Sequence, residues 1–529
     1  MATLEGIGWE RIQMVVRLRP EGGAALGDLR LVRAAAGPPE RMRPTWRGER
    51  AGVTIARFNV MLGPGQQPLE EGTWVLHVGD GGDDTTPLHI RQHDAIAVFL
   101  AERTFAYRGG RYRVVPFVEP DRQALALRVA RRRSAPRHRP WHHRPRRWLR
   151  RTVKPRQRIF RTLAAIFRAT APRTGRRIVF TSDSHAALSG NLAVVHDRMV
   201  ERGLDHSYRL DTIFKPSVTT RRSWRDRWRL PRLLGRADVI LLDDYQPVIY
   251  RLGPDPRRKI IQLWHASGAF KTVGYSRIGK PGGPSPFARR HKNYTHAIVS
   301  GQHDVPYYAE AFGLPEERVV ATGIPRMDRF FDEGKRAAGV AAARRLFPAI
   351  EGRTTILFAP TFRGSGPRNA TYDYSLIDWA ALHAVCVAKN AVVIVRMHPF
   401  IRDPAPIPQV LRDRVLDGSD APIDVNDLLF AVDLLITDYS SIVFEFATLL
   451  RPMLFFAYDL DEYVAGRDFY VPFEDFVPGR IARTFDEVLA AVRADAFEAE
   501  KVPAFARRHF DHLDGGATDR VIDELILAP

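Results

Sequence analysis

The chain has 529 residues, 45% of them hydrophobic, so it is too long for one ordinary domain and apolar enough to bury several cores; about three domains are expected. Its formal charge of +20 is concentrated: Arg122–Thr181 carries 20 Lys and Arg and no Asp or Glu, and the rest of the chain is formally neutral. The single cysteine, Cys386, excludes an internal disulfide, and no apolar run approaches the ~20 residues that a bilayer span needs.

The opening MATLEGIGWERIQ has acidic residues and no basic-then-apolar pattern, so a secretory signal is not expected and a cytoplasmic location is. Residues 1–121 read as short β-runs (RIQMVVRL, GVTIARFNVML, GTWVLHVG, PLHIR, YRVVPFV) between Gly- and Pro-rich turns, which predicts an antiparallel sandwich. The acidic turn Gly79–Asp84 lacks the spacing of a calcium loop and reads as a solvated hairpin turn. Residues 122–175 form the basic segment. Its first half, rich in Pro and Arg, is expected to be extended or disordered. In its second half Pro155 can start a helix on which Phe160, Leu163 and Phe167 share a face, with Arg156, Arg161 and Arg168 around it. An anionic membrane surface, a nucleic acid held by Arg runs with Trp141 and Trp148, or no partner at all would each suit such a segment. The amphipathic second half favours the membrane over nucleic acid. His138, His142 and His143 have no second ligand cluster and read as polar linker.

From Arg176 the pattern changes to alternating strands and helices. The runs RRIVFTSD, ADVILLDDY, KIIQLWHA, THAIVSG and RVVATG, with helical NLAVVHDRMVERGL and VPYYAEAFGL between them, predict a parallel doubly wound domain over 176–345. After a break at FFDEGKRAAGVAAARRLFPAIEG, the runs TTILFAP, AVVIVRMHP, DLLITDY and PMLFFAY predict a second one over 346–529, with DWAALHAVCVAK and SSIVFEFATLL as helices. The fold class is therefore α/β, two Rossmann-like domains preceded by a small all-β domain. A cleft is expected between the carboxyl ends of the two sheets.

The chemistry-bearing side chains fall just after the strands. His265 stands in His265-Ala266-Ser267-Gly268, where small residues let the backbone turn beside an imidazole. Arg363 follows TTILFAP, where a guanidinium can chelate phosphate oxygens. His398 follows AVVIVR. Thr437-Asp438-Tyr439-Ser440-Ser441 runs straight into a helix, whose free N–H groups and positive dipole end suit a pyrophosphate, although Ser or Asp there is also an ordinary N-cap. Cys386, in an Ala/Val run, reads as a small buried hydrophobe. No acidic pair or histidine cluster demands a metal, and no cofactor is expected.

WHASG, GIPRMD, FAPTFR, VRMHP, ITDYSSIVFEFA and RPMLFFAYDLDEY together resemble the CDP-glycerol glycerophosphotransferases, the teichoic acid primases and polymerases, over roughly residues 176–500. The resemblance implies a glycosyltransferase-B-type fold with the nucleotide donor held mainly by the C-terminal domain. It implies His265 as general base and His398 near the donor phosphates, with Arg363, Ser440 and Ser441 on phosphate-contacting positions and Glu445, where Asp is common, at the donor or helix start. Thr437 and Asp438 belong to the same donor motif. Ala266 stands where the family has Gly, Phe362 where it has Trp, and Asp468 where it has Gly. The implied reaction moves glycerol phosphate, or ribitol phosphate, from a CDP-linked donor to a hydroxyl of a lipid-linked cell-wall polymer at the inner face of the membrane, with CMP leaving. A sugar-nucleotide glycosyltransferase of the same fold and a non-catalytic membrane- or nucleic-acid-binding scaffold are the alternatives.

Overall fold

The computed structural model describes residues 1–528 except 24, 34–37, 81–83, 134–143, 173, 219, 254, 281 and 365–368, and only the backbone of 23, 65, 95–96, 99, 144–156 and 465–467. The first 133 residues build two facing sheets. One has five strands, with Gln13–Pro20 and Ala2–Glu10 at its centre. The other has seven, in which the ten-residue strands Gly110–Glu119 and Ala124–Arg133 pair antiparallel along their whole length. Leu18, Phe58, Trp74, Tyr112 and Leu127 fill the space between the sheets. One pairing, Ala2–Glu10 with Ile90–His93, is parallel. The β-domain thus reaches past residue 121. Apolar Ala124–Leu127 and the Arg128-Val129-Ala130 alternation form a strand, and the arginines of its solvent-side positions are what made it read as the start of a basic linker. His138, His142, His143 and Trp141 lie outside the described residues, as do the side chain of Trp148 and most of the acidic turn after Gly79.

Two six-stranded sheets follow, and every pairing within them is parallel. In the first, the strands run Arg209–Phe214, Arg177–Ser182, Val239–Leu242, Lys259–Gln262, His296–Ile298, Val319–Val320 from edge to edge. The order in which strands are added reverses between the parallel neighbours Arg177–Ser182 and Val239–Leu242, so their carboxyl ends flank a crevice. In the second, Val415–Asp417, Ala391–Val395, Thr354–Phe358, Leu434–Thr437, Met453–Phe456 and Arg480–Ala482 give the dinucleotide-fold order, with the reversal between Thr354–Phe358 and Leu434–Thr437. Both central strands are continuous apolar runs because helices cover both faces. Several of those helices begin on a side-chain cap: Asp378 Oδ1 accepts from the Ala381 N–H at 2.8 Å and Thr484 Oγ1 from Glu487 at 3.2 Å. The segment expected as a break between the domains is itself the helix Glu333–Leu346, capped by Asp332 and packed through Gly339 against Phe430.

The helix Arg144–Ala169 begins before Pro155, and its apolar side faces protein. Ala164 is buried, Phe160 packs on the core of the first α/β domain, Phe167 lies under the Arg236 guanidinium, and Gly235 of the helix Trp224–Arg236 sits against the Ala164 carbonyl. Among the described large apolar side chains of this helix pair, Ile159 (56%), Ile166 (50%), Trp224 (69%) and Trp228 (60%) are exposed. No described helix is long and apolar enough to cross a membrane.

The end of the chain, from Ala517 on, docks on the first domain and does not stay within a 346–529 unit. Asp328 accepts from the N–H groups of Ala517 and Thr518 at 3.0 and 2.8 Å, Arg198 pairs with Asp519, and Arg202 with Asp523. The tail therefore closes the first domain, and one hydrophobic core runs from Ile178 to Ile526 through both.

Candidate active site

At the crevice of the first sheet, the chain leaves Val239–Leu242 as Asp243-Asp244 and leaves Lys259–Gln262 as Leu263-Trp264-His265. The His265 imidazole is half exposed; its Nδ1 is 3.3 Å from the Asp243 carbonyl and 3.8 Å from Asp244 Oδ1. With Nδ1–H donating to that carbonyl, the Nε2 lone pair is left for a substrate proton. Trp264 holds the ring in place. It is buried, its ring centre lies 4.2 Å from that of His265 with the planes tilted by 33°, and it has φ 52°, a left-handed conformation that costs a side-chain-bearing residue about 1–3 kcal/mol. Asn191 Nδ2 donates to its carbonyl at 2.8 Å and the Trp264 N–H donates to Gln262 Oε1 at 3.0 Å, which offsets that strain. Opposite, after Arg177–Ser182, His185 Nε2 lies 3.2 Å from Asp243 Oδ2, and that hydrogen bond raises the His185 pKa above the ordinary histidine value. Neither His185 nor the Asp243-Asp244 pair was singled out from sequence. Two acids directly after a β-run were visible, but only the strand order brings them beside His265.

The second sheet treats the donor-motif residues unequally. Ser440 and Ser441 stand at the opening turn: Ser441 is exposed and makes no side-chain cap bond, and Ser440 Oγ accepts from the Ile442 N–H at 3.4 Å, which leaves its O–H to donate. The other members turn inward, where protein groups meet them. Arg363 donates from Nε and Nη2 to the two Asp459 oxygens at 2.6 and 2.8 Å, and from Nη1 to Asp438 Oδ2 at 2.9 Å. A guanidinium so occupied, among the rings of Tyr439, Tyr458 and Tyr463, is a brace. Asp438 is buried, and burial raises its pKa; it accepts from the Thr361 and Tyr439 N–H groups at 2.8 and 2.6 Å. Thr437 Oγ1 donates to the Ala359 carbonyl at 2.7 Å and is fully buried. Cys386 is buried too, and burial pushes its thiol up to about 12.

Glu445 is also redirected. Its Oε1 accepts from Ser267 Oγ at 2.8 Å and from Arg326 Nη2, so it joins the His265 loop and the GIPRMD segment of the first domain to the helix Ile442–Ala447 of the second. Gly268, next to Ser267, has the Phe444 ring where a Cβ would lie, at 2.1 Å; only glycine permits this approach. The same strip continues to Lys271, which bridges to Phe469, while Thr272 Oγ1 and N–H donate to the Asp468 carbonyl at 3.2 and 3.0 Å. Asp468, the family departure, thus acts here through its backbone and through an ion pair of 3.2 Å with Lys280.

Lys271 is the cation that sequence reasoning missed. Its ammonium lies 5.3 Å from the Tyr463 ring centre and is felt by both His398 and Asp438. Among the described residues no carboxylate forms an ion pair with it. His398 stands between Phe362 and Phe400, ring centres 4.7 and 4.6 Å away, and its Nδ1 accepts from the Phe400 N–H at 3.1 Å. Burial first, and Lys271 second, hold its pKa below the ordinary value, so the neutral ring with a hydrogen on Nε2 prevails at neutral pH. One group of three metal-capable side chains occurs among the described residues, His303, Asp304 and His509, with ligand atoms within 4.8 Å; Arg508 Nε also contacts His303 there, at 3.3 Å, and the cluster joins the helix Lys501–His509 to the first domain.

A proton acceptor on one domain, a neutral hydrogen-bond donor and two helix-start hydroxyls on the other, and an ammonium near that donor suit transfer of a phosphoryl group. Comparison with known proteins agrees. Residues 163–527 match the family model described as CDP-glycerol:poly(glycerophosphate) glycerophosphotransferase. The teichoic acid ribitol-phosphate polymerase TarK of Staphylococcus aureus is 45% identical over 367 residues, 69% of this chain and 71% of that protein. The teichoic acid poly(ribitol-phosphate) polymerase of Bacillus spizizenii is 39% identical over 67% of this chain and 57% of its own length. The solved wall teichoic acid polymerase TagF superposes with a TM-score of 0.56 at 22% identity, over 72% of this chain and 97% of that one, which bears on the fold.

Proposed function

Since the chain belongs to the CDP-glycerol:poly(glycerophosphate) glycerophosphotransferase family, whose members transfer polyol phosphates in teichoic acid synthesis, we propose that it adds ribitol phosphate from CDP-ribitol to a hydroxyl of a membrane-held polymer. The relatives named for ribitol are 35–45% identical and those named for glycerol 25–29%, which moves the preference from glycerol to ribitol. The acceptor oxygen attacks the phosphorus that bears the polyol; the P–O bond to the CMP phosphate breaks and CMP leaves. His265 Nε2 takes the hydroxyl proton while the Asp243 carbonyl and Asp244 hold and balance the ring. His398 Nε2–H, Lys271 and the Ser440 and Ser441 hydroxyls face the phosphates and stabilise the charge that gathers on the leaving CMP. The observation that carries this reading is the continuous strip from His265 to Lys271, which sets the base and the cation on one loop against the donor helix.

Membrane contact is assigned to the exposed Ile159, Ile166, Trp224 and Trp228 with the arginines of the same two helices. Amphipathic rings and aliphatics among cations suit an anionic leaflet. CMP release is the test, with CDP-ribitol and CDP-glycerol supplied separately, a lipid-linked acceptor, and His265→Ala as control. Release from CDP-ribitol that the variant abolishes supports the reading. Release from neither donor with a competent acceptor overturns it and favours a sugar nucleotide.

A further inference from the structure

The first α/β domain contains a cavity of ≈ 460 Å³ lined by five arginines from three separate segments: Arg158 and Arg161 of the helix Arg144–Ala169, Arg251 after Tyr250, and Arg289 with Arg290 from the loop that leads to His296–Ile298. Arg168, further along the same helix, is paired with Asp255 at 2.8 Å; none of these five has a carboxylate partner among the described residues. Cations crowded without anions repel one another and lose hydration. The strain shows nearby: burial and the neighbouring Arg289 hold the Lys292 ammonium down to about 8, and burial lowers Arg251. An anion entering the cavity relieves all of this at once.

Position says which anion. The Tyr245 ring forms part of the wall, with the Arg290 guanidinium 5.6 Å from its centre, and Tyr245 directly follows Asp244, the carboxylate that faces His265. The cavity therefore lies in the acceptor-side domain, one residue along the chain from the carboxylate that faces the base. Guanidinium groups in convergent sets suit phosphate oxygens, and each repeat of a polyol-phosphate polymer carries one anionic phosphodiester. Resting on the reading above, we infer that this arginine cavity grips a phosphodiester of the acceptor polymer just behind the hydroxyl presented to His265. A lipid headgroup is the less suitable occupant, because the apolar surface of this helix pair is exposed at Ile159 and Ile166 and not in the cavity.

The test uses the full chain, a water-soluble, lipid-free oligo(ribitol phosphate), and the paired substitutions Arg289→Ala with Arg290→Ala and Arg158→Ala with Arg161→Ala. Calorimetric affinity for the oligomer is expected to fall at least about tenfold in each pair, the scale of losing a charge-assisted contact, and to depend less steeply on salt. Acceptor KM should rise in step while CDP-ribitol affinity stays within about twofold, which also shows that the variants fold; the corresponding Arg→Lys pairs should recover part of the loss. Unchanged oligomer affinity overturns the inference, and so does a loss confined to phosphatidylglycerol vesicles, which would give the cavity to a lipid. If oligomer binding collapses in the variants but the unaltered protein turns over no CDP-polyol, the anion site stands and the transferase reading falls.

Discussion

His265 works because its neighbours settle what each ring nitrogen does. The Asp243 carbonyl claims Nδ1, and Trp264, held at φ 52°, fixes the plane of the ring. His265→Ala should lower kcat about 10²–10⁴-fold with donor KM little changed, measured by CMP release, since a general base acts in the transition state and not in donor binding. Lys271 makes a second test. Burial and this ammonium both depress His398, whose neutral form is lost as pH falls through its lowered pKa. Lys271→Ala removes one depressing influence, so the His398 pKa rises and the acid limb of the kcat/KM profile moves to higher pH. Donor KM should increase about tenfold as a phosphate contact is lost. A limb that stays put would take His398 out of the titration. At this scale the sequence was informative wherever a motif put a side chain after a strand: His265, His398, Ser440 and Ser441 all sit at strand ends around the two crevices. How Arg363, Asp438, Thr437 and Glu445 are held was not legible, because adjacency to a strand end does not say whether a polar group points into the cleft or is met by Asp459, Thr361, Ala359 or Arg326.

Between elements, the decisive contact is the His265 loop against the helix Ile442–Ala447. Ser267 and Arg326 meet on Glu445, which is 4% exposed, and Gly268 lies flat on the Phe444 ring. Glu445→Ala leaves Arg326 without its carboxylate and Ser267 without its acceptor. A loss of about 3 kcal/mol is expected, read as a fall in melting temperature, together with reduced turnover as the two domains lose register. Donor-binding loss with unchanged thermal stability would return Glu445 to the phosphates. The parallel sheets were legible here because buried strands are continuous apolar runs, and the helices because of their period. The strand Ala2–Glu10 was not, since its buried residues do not alternate cleanly. Nor was the partner of the amphipathic helix: period shows that Phe160 and Phe167 share a face, and only packing shows that the face covers Gly235 and Leu234.

Across the whole molecule, the β-domain is seated on the first α/β domain through Tyr275, Ile278 and Phe287, which join its core, and through an ion pair to a buried carboxylate: Arg11 Nε donates to Glu310 Oε1 at 2.7 Å, Gln13 Nε2 to Oε2 at 3.2 Å, and the guanidinium lies over Tyr307 and Tyr470. Tyr470 belongs to the cleft-spanning strip, so the β-domain, the acceptor domain and the donor domain meet at this point; its hydroxyl donates to Ser276 at 3.0 Å. Such a junction pairs residues 299 apart in sequence and left no local signal. Burial raises the Glu310 pKa, and Arg11 is the main influence opposing it. In Arg11→Ala that opposition goes, so the Glu310 pKa climbs further above its unfolded value. A carboxyl with a raised folded pKa favours the folded state while it is protonated and penalises it once pH rises through that pKa. The variant should therefore be less stable by about 3–5 kcal/mol at pH 8, where the lone carboxylate is charged and buried, and by clearly less at pH 5, where it can take up a proton. Melting temperatures of both proteins at the two pH values decide it, and an equal deficit at both would mean that Arg11 holds the domains together by packing on Tyr307 and Tyr470 and not by charge.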